Sequence, residues 1–153
     1  MLAIRKTRVL AAAAAVATLL TIAASPARAE TTLEVRPGLS PFYANGKNNG
    51  PREYVTRNLS TEARNQYLRS CKLRYSCYAV GEGDGQHTFF ELYYCDKRTL
   101  ANFLGRGAAV NHQEGGAVVE LLWLNDVVEQ RIKPDNVPVS VETWDPIWYI
   151  DPC

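Results

Sequence analysis

Histidine is scarce in this chain of 153 residues: only His87 and His112 are present. So small a supply limits the options for acid–base, metal-hydrolytic and histidine-activated nucleophilic sites. The chain has no nucleophile elbow, no His-Glu-x-x-His pair, no phosphate loop and no dinucleotide fingerprint. Beyond residue 24 it lacks any apolar run approaching the ~20 residues of a membrane helix. It also lacks a basic excess where one would matter. After the leader described next, 13 basic and 16 acidic side chains remain, a net charge of −3. That argues against a general nucleic-acid binder.

The leader occupies residues 1–29. Arg5, Lys6 and Arg8 make a positive start, Val9 to Ala24 is an apolar run, and Ala27-Arg28-Ala29 is a small-x-small cleavage site. This order is that of a secretory signal peptide, and the run is too short for an anchor. A secreted, extracellular protein is expected, with no membrane attachment after cleavage, and the alanine-rich leader suggests a bacterial source. The remaining 124 residues suit one domain and a modest core. Residues 30–57 read as an irregular N-terminal segment, punctuated by Pro37-Gly38, Pro41 and the Asn45–Pro51 run. Residues 58–153 read as the folded domain.

All four cysteines, Cys71, Cys77, Cys95 and Cys153, follow the leader. An even count in an exported chain implies two disulfides. Spacings of 5, 17 and 57 residues match no zinc pattern. Three connectivities are possible. The favoured one joins Cys71 to Cys77 across a short loop and Cys95 to Cys153 at the C-terminus. The second closes a long loop, worth on the order of 4 kcal/mol in the chain-entropy model. Charge is uneven along the chain: residues 30–76 carry eight basic and four acidic side chains, residues 77–153 five basic and twelve acidic.

One short helix is predicted over 59–69, capped by Ser60, with Leu59, Ala63 and Tyr67 on one face. Residues 75–80 and 88–94 predict a hairpin across the glycine-rich run Gly81–Gly85. Leu100, Phe103 and Leu104, spaced i, i+3, i+4 before Gly105, predict one or two helical turns. Ala117–Leu124 predicts a central strand, turning at Asn125-Asp126 into 127–132. Val137, Val139 and Val141 alternate as a strand, and Pro138 confines its start to an edge. The expected class is mainly β, a small sandwich.

Candidate site residues are few. In the Val80–His87 loop, Glu82, Asp84 and His87 are the binding candidates. His87 and Glu91 share one strand face about 13 Å apart, a spacing that could flank a ribonuclease-like substrate with Arg74 or Arg98 as anion stabiliser. Asn111-His112-Gln113-Glu114-Gly115-Gly116 is an oxygen-rich loop in which Asn111 and Glu114 are candidate calcium ligands. No other cofactor is implied. Trp144 and Trp148, four apart beside Pro146, are candidates for an exposed aromatic binding surface, for example for carbohydrate, whereas Trp123 is expected in the core.

Cys71-x5-Cys77-Tyr78, Gly85, Phe90-x-Leu92-Tyr93-Tyr94-Cys95, Leu100-x-Asn102 and Asn111 before a valine-rich strand together resemble the βγ-crystallin-like peptidase-inhibitor family of small exported bacterial proteins. Tyr78 and Gly85 keep that family's seven-residue spacing from aromatic residue to corner glycine. Its hydroxyl calcium ligands are replaced by Gly115-Gly116. The resemblance covers residues 71–124 and implies a Greek-key β-sandwich that binds an extracellular protein such as a peptidase. The expected function is therefore a monomeric secreted binding protein, an inhibitor rather than an enzyme, presenting the loops Val80–His87 and Gly105–Gly116. A small secreted hydrolase and a non-catalytic cell-surface module are the alternatives.

Overall fold

The computed structural model describes residues 36–153, and the expected leader lies outside them. The elements in chain order are β1 (Gly38–Ser40), β2 (Tyr54–Leu59), α1 (Thr61–Arg69), β3 (Ser76–Gly81), β4 (His87–Leu92), β5 (Arg98–Ala101), β6 (Gly107–Asn111), β7 (Val119–Leu122), β8 (Val128–Ile132), β9 (Val139–Val141) and β10 (Tyr149–Asp151). They form two five-stranded sheets, ordered β1-β5-β10-β7-β8 and β2-β4-β3-β6-β9. Every pairing is antiparallel.

Strand alternation builds the core between the sheets. Tyr78, Val80, Phe90 and Leu92 point inward from one sheet and meet Leu100, Leu121, Ile132 and Ile150 from the other. Each such large side chain, fully buried, contributes roughly 1.5–3 kcal/mol. The opposite face of the β3–β4 sheet carries a second cluster. Cys77, Ala79, Phe89 and Val110 there lie under Leu68 and Ala63 of α1, with Leu59 and Tyr75 beside them. Helix α1 begins as its sequence predicts, the Ser60 hydroxyl accepting from the Ala63 N–H at 3.2 Å. The residue it buries is Leu68, whereas Tyr67 stays half exposed with its ring against Phe89.

The structure departs from expectation in two segments. Residues 30–57 contribute β1 and most of β2, both edge strands. The alternation of β2 is masked by an irregularity between Thr56 and Leu59, where Asn58 takes φ +56°. The helical turns expected at Leu100–Leu104 do not form. Leu100 is a core residue of β5, Asn102 at φ +56° breaks the strand, Phe103 is buried and Leu104 is exposed.

The antiparallel registers sort the connections to two ends of the sandwich. At one end lie the links 41–53, 70–75, 93–97, 112–118 and 133–138. Both disulfides, Cys71–Cys77 and Cys95–Cys153, also sit here, at the starts of β3 and β5 and the end of β10. So does a buried ion pair: Arg98 meets Glu53 at 2.7 Å, both side chains wholly excluded from solvent. Glu53 also accepts from the N–H groups of Tyr43, Tyr93 and Tyr94, and Arg98 donates to the carbonyls of Pro41 and Tyr94. This end is stapled both covalently and electrostatically. The links 82–86, 102–106, 123–127 and 142–148 lie at the other end.

Candidate binding face

The side chains marked out by sequence do not assemble into one site. His87 and Glu91 share the outer face of β4, but Phe89 between them is buried beneath α1. His87 Nε2 lies 3.1 Å from the Thr61 hydroxyl, while Glu91 accepts from Lys72 at 3.0 Å. Arg98 belongs to the buried pair, and Arg74 binds Glu114 at 2.7 Å. Thus neither arginine faces a space shared by His87 and Glu91.

Asn111 and Glu114 are occupied in holding the loop. The buried Asn111 amide donates to the carbonyls of Ala117 and Ile132 at 2.8 and 2.9 Å, and its Oδ1 accepts from the Gln113 N–H. No group of three or more candidate metal ligands occurs among the described residues. Glu82 is likewise an internal brace: it accepts from the Asn58 N–H at 3.0 Å and the Thr88 hydroxyl at 2.6 Å. Asp84 is exposed and accepts from the Gln86 N–H, which shapes the turn. The turn is therefore held by its own hydrogen bonds, and the disulfides lie at the opposite end. Of the Gly105–Gly116 stretch, only its first residues adjoin this turn, because β6 carries the rest to the stapled end.

Trp144 and Trp123 exchange their expected places. Trp144 is fully buried at 0 % exposure, with its indole N–H donating to the Ala79 carbonyl at 3.2 Å. It crosses β6 at Gly107, where a Cβ would stand 2.0 Å from the indole nitrogen, so only glycine admits it. Trp123 is 41 % exposed and Trp148 46 % exposed. They extend the register of β7 and β10, one step past the last paired residues Leu122 and Tyr149.

These two tryptophans flank a hollow at the unstapled end. It measures about 460 Å³ and is lined by Trp123, Leu124, Asn125, Pro146 and Trp148. Trp148 is also a wall of the next hollow, about 240 Å³, with Asn102, Leu104 and Asp145. Leu104 in turn leads to a third, about 280 Å³, with Gly105, Arg106, Gly81 and Gly83. Leu124 at 60 % and Leu104 at 48 % exposure add apolar surface. No family model matches this chain, and no curated protein or solved structure does either.

The walls of these hollows are rigidly held. The Trp148 N–H donates to the Leu122 carbonyl at 2.8 Å, and its carbonyl accepts from the Leu100 N–H at 2.9 Å. The Trp123 N–H donates to the Val127 carbonyl, and the Trp144 N–H to the Gly105 carbonyl. Asp145 accepts from the Thr143 hydroxyl and the Gly105 N–H, and these bonds hold its carboxyl below the ordinary aspartate value. It is therefore anionic at neutral pH. Leu104, Asn125 and Trp123 escape the sequence reading. One signal was available: the Asn125-Asp126 turn puts Trp123 and Leu124 at a hairpin tip, where turn residues are more often exposed.

Proposed function

We propose that this is an exported, non-catalytic binding protein, and that the groove between Trp123 and the Gly81–Gly85 turn is where it holds its partner. The observation that carries this reading is the gathering of both exposed tryptophans, Leu104 and Leu124 on one rigid end face. Large apolar side chains grouped at a surface mark interaction sites, and pre-set walls reduce the ordering cost of association. Two disulfides suit an oxidising, extracellular destination, and no helix among the described residues is long and apolar enough to cross a membrane. Tyr78 in the inter-sheet core and Gly85 at φ +88° in the β3–β4 turn support the crystallin-like reading of the sandwich.

The partner on this reading is an extracellular protein such as a peptidase, blocked by occupancy of the end face. The test is a titration of the mature protein against secreted metallo- and serine peptidases, beside the Trp148→Ala variant. Stoichiometric inhibition by the wild type that is lost in the variant is expected. No inhibition of any of them at micromolar concentration would remove the inhibitor role.

A further inference from the structure

We propose that the end-face groove accepts an extended, cationic polypeptide segment of a partner protein, with apolar side chains against Trp123 and Trp148 and a Lys or Arg side chain at Asp145; this rests on the end face being the binding surface. The first argument is charge. The four strand-to-strand links at this end, 81–87, 102–106, 123–127 and 142–148, carry five acidic side chains and one basic, with Arg36 before β1 and Arg64 of α1 beside them. The links at the stapled end, 41–53, 70–75, 93–97, 112–118 and 133–138, carry six basic and four acidic. The strand-to-strand links of the two ends thus differ in charge, the tryptophan end being the more acidic. Arg106 is neutralised by Glu142, and Lys97 reaches up to Asp126. Asp145, which lines the groove, has no cationic partner among the described residues, and neither has Asp84 on the adjoining turn, so the unpaired charge here is negative.

The second argument is shape and chemistry. Three hollows that share Trp148 and Leu104 as walls offer successive side-chain pockets, which suits a chain better than a compact ligand. Asp145 and Trp148 wall the same hollow, so a cation there meets a carboxylate and an indole together. A neutral glycan would instead require several free hydrogen-bonding groups to match its hydroxyls. The Asn102 amide already donates to the Arg36 carbonyl and Asp145 already accepts two bonds, which leaves Asn125 as the one uncommitted amide lining these hollows.

The experiment is fluorescence anisotropy with the mature, oxidised protein. The probes are an array of 12-residue peptides alternating Lys with Leu or Trp, composition-matched arrays with Glu or Gln in place of Lys, and neutral hexasaccharides of glucose and of N-acetylglucosamine. Lys peptides should bind at least tenfold tighter than Glu peptides, and lose at least fivefold in affinity between 0.05 and 0.5 M salt. Trp148→Ala should abolish binding without changing the melting temperature by more than a few degrees. Asp145→Asn, which keeps an oxygen to accept from Thr143 and Gly105, should weaken Lys peptides and leave Gln peptides unchanged; equal loss of both would overturn the placing of the cation at Asp145. Absence of binding to the Lys array, equal binding of Lys and Glu arrays, preference for a hexasaccharide, or self-association that Trp148→Ala abolishes would each overturn the cationic-segment assignment while leaving the face open as a binding surface. Binding unaffected by Trp148→Ala would overturn the face itself.

Discussion

Removing the Glu53 carboxylate should be among the costliest single changes to this protein. In Glu53→Ala, Arg98 keeps its place in the interior but loses its only anionic partner among the described residues. The N–H groups of Tyr43, Tyr93 and Tyr94 lose their acceptor at the same time. Breaking a buried pair from one side costs about 3–5 kcal/mol, because an uncompensated charge stays behind. A domain of this size shifts its melting temperature by about 3–5 °C per kcal/mol, so a fall of roughly 10–20 °C is expected. Urea titration with disulfides intact, followed by tyrosine and tryptophan fluorescence, measures it directly. A double-mutant cycle sharpens the test: Arg98→Met removes the charge, so Glu53→Ala/Arg98→Met should be less damaged than the two single effects summed. A loss below about 1 kcal/mol in Glu53→Ala would refute the reasoning, since a pair worth so little behaves like an exposed one.

Two further outcomes follow from the same packing. Asn111→Ala deprives the Ala117 and buried Ile132 carbonyls of their donor, and should cost about 2–3 kcal/mol in urea unfolding with calcium present or absent. Burial, and next the Arg64 guanidinium, lower the His87 pKa, while Glu82 and Asp84 oppose them. The unfolded chain therefore takes up a proton first, near pH ~6.5. Stability is complete above that pH and falls as the pH drops through it toward the folded value. Melting temperatures from pH 8 to 5 should show this slope in the wild type and a flatter one in His87→Gln; parallel slopes would reject it.

How much of this was legible from residues depends on whether the determining interaction is local. Helix α1 announces itself through Ser60, and the β3–β4 and β7–β8 hairpins through Gly83, Gly85, Asn125 and Asp126, because caps and turns are set by adjacent backbone. The edge position of β9 follows from Pro138 for the same reason. Strands β1 and β2 were not legible. Their partners β5 and β4 lie tens of residues away, and Tyr54 and Val55 face solvent at the sheet edge. The i, i+3, i+4 spacing at Leu100 mimics a helix because Asn102 reverses the chain direction between two core residues. Nothing local distinguishes Trp144 from Trp148. What does is Gly107, 37 positions earlier, whose missing side chain makes room for one indole only. Glu53 likewise reads as an ordinary loop acid until Arg98 is brought against it.

The stapling of one end has a consequence for how such a protein can change over generations. Cross-links, the buried ion pair and the Asn111 brace all secure the end away from the tryptophans. Residues at the tips of the opposite turns, such as Gly83 to Gly85 and Leu124 to Asp126, carry little of the framework's stability. Substitutions and short insertions there are tolerable without loss of the fold. The architecture separates an anchored end from one whose turn tips can be altered by design while the anchoring end is left alone.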